Sequence, residues 1–167
     1  MFLPPPPSYG AEQVPVVFAE TDDGARIALL HLPAASDRFT IIFSHGNAED
    51  LGHVLPVLQL LNDAGFGVIG FDYRGYGLST GGPPTARGAI RDLDAVYRHA
   101  VHGLGISPDR IVLHGRSVGS GPATAVAARE SVAGLILESA FTSAFTVVTR
   151  WRILPFDRFP NAALLAG

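Results

Sequence analysis

A serine hydroxyl is inert at neutral pH unless the backbone presents it to a substrate, and two segments of this chain are built to do so. Gly115-Arg116-Ser117-Val118-Gly119 and Gly77-Leu78-Ser79-Thr80-Gly81 both read G-x-S-x-G. In a nucleophile elbow a sharp strand-to-helix turn holds the serine in a strained left-handed conformation. Strand and helix then approach so closely that only glycine fits two residues to either side. Among 19 glycines the five-residue pattern is a weak signal, so context must choose. The run Ile111-Val112-Leu113 precedes Ser117 directly, and Pro122 to Ala128 follows it with helix-compatible small residues. Ser79 instead runs into Gly82-Pro83-Pro84, which cannot start a helix tightly. Ser117 is therefore the candidate nucleophile, Gly115 and Gly119 are its elbow glycines, and Ser79 is a loop residue.

Attack by such a serine needs an oxyanion hole and a general base. Ser44-His45-Gly46-Asn47 follows the strand-like Phe39 to Phe43, and the backbone N–H groups of Asn47 and Val118 are the expected donors, with Gly46 permitting the turn. The base is harder to find, because all six histidines (His31, His45, His53, His99, His102 and His114) precede Ser117. His45 is expected to brace its own turn, His114 to pack, and His99 and His102 to be solvated. His53, opening the next helix, is the single candidate for a substitute base. Glu138 is a possible acid in a variant arrangement, with nothing evident to orient. Loss of the base from a catalytic triad costs about a million-fold in turnover, roughly 8 kcal/mol of barrier. The isolated chain is accordingly expected to be inactive.

The elements that must carry these residues follow from periodicity. Val14 to Glu20 and Arg26 to Leu32 read as an antiparallel hairpin around Asp22-Asp23-Gly24. Phe39 to Phe43, Gly67 to Phe71, Ile111 to Leu113 and Gly134 to Leu137 read as strands. They alternate with helices over Leu51 to Ala64, Ala86 to Val101 and Val118 to Arg129. Such alternation implies βαβ units and a mostly parallel, doubly wound sheet after the hairpin, hence an α/β fold. Phe141 to Ile153 could be one further helix ended at Leu154-Pro155. A single domain spans 1–167: a Pro-rich lead-in (1–13), the sheet and its helices (14–139), and the start of a cap region with a tail (140–167). Pro4 to Pro7 must be extended, and a lead-in packed on its own domain is preferred over an SH3-type ligand.

Composition narrows the chemistry. With 167 residues, 47% apolar and 16% charged, the chain buries one core. A net charge of −3 leaves no footprint for nucleic acid or anionic lipid. There is no cysteine, and all twelve basic residues are arginine; disulfides, thiolate metal sites, Walker-type phosphate binding and Schiff-base chemistry are excluded. No G-x-G-x-x-G follows the first parallel strand, which argues against dinucleotide binding. No metal or other cofactor is expected, no membrane anchor is evident, and a cytoplasmic location is the default.

Five stretches together resemble the α/β-hydrolase superfamily, and within it the branch of the depalmitoylating α/β-hydrolase-domain proteins and their bacterial relatives. They are Phe2 to Tyr9, Phe43 to Gly52 (FSHGNAEDLG), Phe71 to Ser79 (FDYRGYGLS), Gly115 to Gly121, and Leu137 to Phe141. The resemblance implies a serine hydrolase of acyl esters or thioesters, with Ser117 as nucleophile and the amides of Asn47 and Val118 as oxyanion hole. Asp72 and Arg74 would shape the loop beside the site without proton chemistry. The lipid-anchoring cysteine cluster of the depalmitoylating members has no counterpart here. The likeness runs through Phe156 to Asn161, short of the strands that carry the family's acid and histidine, so the fold is expected to lack its last strands. That would leave Gly134 to Leu137 as an apolar edge open to self-association. The alternative function is a non-catalytic truncated fold acting as a binding module or surviving as a decayed gene product. Trp151, Phe156 and Phe159 are expected in core packing, with an acyl pocket as the other reading.

Overall fold

The computed structural model describes residues 2–35 and 38–140. The expected Phe141 to Ile153 helix, the cap region after 140 and the three aromatics at 151, 156 and 159 lie outside these.

The hairpin comprises β1 (Val17–Glu20) and β2 (Arg26–Leu32). Its turn is closed by Thr21, whose N–H donates to the Ala25 carbonyl at 2.9 Å, and by Gly24 at φ +81°. Strand β1 starts three residues later than the pattern suggests, because Val14 is spent on a turn in which its N–H reaches the Gly10 carbonyl. The remaining strands are β3 (Thr40–Ser44), β4 (Gly67–Phe71), β5 (Ile111–Arg116) and β6 (Gly134–Glu138). The sheet order is β1-β2-β4-β3-β5-β6. β2 pairs antiparallel with β1 and β4, and β4, β3, β5 and β6 run parallel.

Both faces of the sheet are covered, which is why its central strands read as unbroken apolar runs. Helix α1 (Leu51–Asp63) presents Leu51, Val54 and Leu58 to Leu30, Phe43 and Val68, together with Tyr9 and Val14 from the lead-in. On the other face α2 (Ala86–Arg98) and α3 (Ser120–Ala127) set Leu93, Val96, Ala123 and Val126 against Ile27, Leu29, Ile42, Ile69, Phe71 and Leu113. Neighbours in one strand, such as Ile42 and Phe43 or Val68 and Ile69, serve opposite faces.

Two helices differ from their expected spans. After Arg98 the chain widens into a π-type turn, His99–Gly103, instead of continuing to Val101 as α-helix. The expected helix from Val118 begins as a tight 3-10 turn, Ser117–Gly119, before α3 proper. Strand β6 has β5 as its neighbour among the described residues, and its Ile136 is 46% exposed. This is the edge on which self-association is expected. None of the described helices is long and apolar enough to cross a membrane.

Candidate active site

The site lies at the carboxyl ends of β3 and β5. The chain leaves β3 for β4 on one side of it and later returns to β5 on the other. A crevice at such a topological switch point is where open α/β sheets bind ligands. Ser117 sits between β5 and α3 at φ +50°. The flanking glycines are enforced by backbone proximity. A Cβ on Gly115 would lie 2.6 Å from the Gly119 carbonyl oxygen, and one on Gly119 would lie 2.2 Å from the Ser44 carbonyl oxygen. The Ser117 hydroxyl is half-buried and has no hydrogen-bond partner among the described residues. Ser79 is a loop residue as expected, its Oγ donating to the Asp72 carbonyl and accepting from the Ala28 amide.

The turn after β3 comes up beside Ser117, since a Cβ on Gly46 would stand 3.7 Å from Ser117 Cβ. Gly46 is not in the left-handed region, and a Cβ there would meet first the mobile end of the Glu49 side chain, at 2.8 Å. Its missing side chain makes room for the Glu49 carboxylate, which accepts the Gly46 N–H at 2.7 Å. The left-handed residue of this turn is Ala48, at φ +56°. The Asn47 side-chain oxygen accepts from Tyr76 Oη at 2.9 Å and from the Leu3 amide at 2.8 Å. The Asn47 amide itself donates to no acceptor among the described residues. Val118 is in the first turn of its helix, so its N–H lacks an intrahelical acceptor.

Arg116, the residue before Ser117, joins three elements. Its Nε donates to Glu138 at 3.0 Å, its Nη1 lies 3.5 Å from Glu49, and its guanidinium stacks 5.1 Å over the Phe43 ring. The β5–β6 register sets Arg116 opposite Glu138. Glu138 is thus not without a group to orient, as the sequence suggests. It also meets His114 Nε2 at 3.2 Å. His114 packs edge-on to Phe43, and burial lowers its pKa below the usual histidine value against the pull of Glu138. Sequence reasoning missed the Arg116 junction, although a carboxylate three residues after Gly46 is the kind of spacing that satisfies a turn amide.

None of the six histidines is hydrogen-bonded to Ser117. His45 is buried, with Nδ1 donating to the Gly46 carbonyl at 2.7 Å and Nε2 standing 3.5 Å from Asp72. His53, the proposed substitute base, is held at the start of α1 by Asp50, its Nδ1 at 2.7 Å. His31 lies on β2, and His99 and His102 lie in the π-turn after α2.

Asp72 and Arg74 hold loops. Asp72 accepts from Tyr9 Oη and from the Leu51 amide. Arg74 forks onto Asp92 of α2 through Nε and Nη2 at 2.9 and 2.8 Å, and reaches Asp23 in the hairpin turn at 2.9 Å. The Arg74 hydrogen bond holds the Asp23 carboxyl well below the usual carboxylate range, whereas burial raises that of Asp92.

Comparison with known proteins agrees with this architecture. Residues 35–161 match the family model described as serine aminopeptidase, S33. The chain is 34% identical over 155 residues to alpha/beta hydrolase domain-containing protein 17C of Mus musculus, covering 90% of this chain and 48% of that protein. It is 34% identical to the human protein 17B over 145 residues, covering 84% and 50%. The chain thus spans about half the length of the curated relatives it matches. Among solved structures, an esterase of Pyrococcus furiosus superposes with a TM-score of 0.69 at 22% identity, covering 83% of this chain and 58% of that one. An alpha-beta hydrolase from Vibrio vulnificus gives 0.68 at 22% identity, covering 90% and 54%.

Proposed function

Because the chain belongs to the α/β-hydrolase superfamily, in the branch of the depalmitoylating α/β-hydrolase-domain proteins and their bacterial relatives, we propose that it carries the nucleophile of a serine hydrolase acting on acyl esters or thioesters. The observation that supports this reading is the left-handed Ser117, its hydroxyl without a hydrogen-bond partner among the described residues, beside the turn at Gly46.

In the proposed reaction Ser117 Oγ attacks the acyl carbonyl and loses its proton to a general base. The oxyanion is held by the amides of Asn47 and Val118, and collapse expels the alcohol or thiol, which takes up that proton. Water then attacks the acyl-enzyme in the same way, returning the serine and a carboxylic acid. Each described histidine is engaged or placed elsewhere, so the base is not assigned to any of them. Glu138 serves better as a brace for Arg116 than as the acid, because Arg116 and His114 already claim its oxygens.

Fluorophosphonate labelling of the protein translated from the whole reading frame tests this. Labelling that is lost in Ser117→Ala supports the reading. A wild-type protein that stays unlabelled while folded would favour the second reading, a non-catalytic fold, which rests on the lack of a histidine at Ser117.

A further inference from the structure

We propose that Phe2 to Tyr9 is a clamp that holds the turn 46–50 in place beside Ser117, an inference that extends the hydrolase reading above. The segment grips that turn at both ends. At its start the Leu3 amide donates to the Asn47 side-chain oxygen at 2.8 Å and approaches Tyr76 Oη at 3.0 Å. The Phe2 ring lies edge-on to Tyr73 and Tyr76, with centroids 6.1 and 6.5 Å away. At the far end the Ser8 amide donates to Asp50 Oδ2 at 2.7 Å, and the Ser8 hydroxyl donates to the other oxygen of the same carboxylate. Asp50 is the N-cap of α1. Tyr9 Oη then donates to Asp72, whose second oxygen takes the Leu51 amide at 2.8 Å.

Between these anchors stand Pro4 to Pro7, and proline suits the task physically. Its fixed φ makes the spacer stiff. The described backbone bends at Pro6 and again at Ser8, so the spacer is a stiff, bent strap and not the straight polyproline II run expected. The first turn of α1 is shaped to receive it, since a Cβ on Gly52 would fall 2.3 Å from Ser8 Oγ and 3.2 Å from Tyr9 Cβ.

The turn needs outside support. It contains a left-handed alanine, and its side-chain braces are Glu49 on the Gly46 amide, His45 on the Gly46 carbonyl and Tyr76 on Asn47, with the N-terminal segment fixing Asn47 and Asp50 from outside. An oxyanion donor acts only if it is fixed before charge develops; removing such a donor outright costs about 10²–10³ in rate, and loosening it costs less, on the order of tenfold. Leu3, Ser8 and Tyr9 act through Asn47 and Asp50 and are positioning residues.

The test uses the protein from the whole reading frame with three changes: Ser8→Ala, Tyr9→Phe, and Pro4→Gly/Pro5→Ser/Pro6→Gly/Pro7→Ser together. The last keeps both anchors and changes mainly stiffness, since Pro4, Pro6 and Pro7 are exposed and Pro5 half-buried. Two readouts are taken, amide hydrogen exchange along residues 46–53 and the rate of fluorophosphonate labelling. Expected are exchange at Asn47 and Ala48 about tenfold faster with the amides of β3 and β5 unchanged, and labelling about tenfold slower with the half-saturating probe concentration within about twofold. Exchange at 46–48 that stays at the wild-type rate, or that rises equally across the sheet, overturns the clamp. If wild type does not label, the hydrolase reading fails while exchange still decides the clamp.

Discussion

Replacing Gly119 by alanine should separate packing from backbone strain at the elbow. Gly119 has φ −65°, a conformation any residue adopts, so the whole cost is steric. The added Cβ would stand 2.2 Å from the Ser44 carbonyl oxygen and 2.8 Å from that of His45. Both are main-chain atoms at the end of a strand paired on two sides, and neither can rotate away. Overpacking costs about 1–3 kcal/mol where side chains can yield; against two fixed carbonyls the upper end, about 3 kcal/mol, is expected. Gly24→Ala is the complement, because Gly24 has φ +81° with open space around its Cβ, leaving an αL cost of about 1 kcal/mol. Urea unfolding followed by far-UV circular dichroism, with both variants retaining the wild-type m, measures the difference. Relief of the clash must also move the end of β3, and Gly46 with it, by about 1 Å, enough to slow Ser117 labelling about 100-fold. If Gly119→Ala costs no more than Gly24→Ala, the close approach of elbow and β3 is not what demands glycine.

Ser117→Gly should be more stable than Ser117→Ala by up to about 1 kcal/mol in the same assay, because alanine keeps the left-handed strain that glycine escapes, less glycine's own entropy cost; equal midpoints would deny strain at φ +50°. Arg74→Met strands a buried Asp92 carboxylate and should cost about 3–5 kcal/mol, most of it recovered by adding Asp92→Asn, and additive losses in that cycle would count against the pair. Burial lowers the pKa of both His31 and His114 below the unfolded value. The folded state therefore resists their protonation, so stability is retained above the unfolded histidine pKa and declines as pH falls from about 7 toward 5. The double change His31→Gln/His114→Gln should flatten that slope in urea midpoints taken across the range, and an unchanged slope would place the titration elsewhere.

Much of this was readable in the sequence because it depends on local pattern. The apolar runs and their alternation with helices give β2 and β4 at their observed bounds and the others within a few residues. The strand before Ser117 and the small-residue helix after it select that serine over Ser79. Strand order was not readable, since alternation is equally compatible with other arrangements of the parallel strands. The π-turn after Arg98 was hidden because Ala100 and Val101 continue the apolar periodicity of α2. The partners of Glu138 and the role of Glu49 were hidden for a different reason: both depend on the register that sets Arg116 beside residues 22 and 67 positions away. That Gly46 leaves room in its turn is legible in the sequence; that Glu49 fills it is not, because this depends on where a side chain three residues on folds back.

The hydrogen bonds of the N-terminal segment also impose an order on biosynthesis. Tyr76, one of the partners of Leu3, leaves the ribosome 73 residues after it. At a synthesis rate of about 5–20 residues per second that is a delay of roughly 4–15 seconds. During that interval the tetraproline run is a free peptide, open to any cellular factor that binds extended proline. Phe2 to Tyr9 is thus among the last of the described segments to reach its final position.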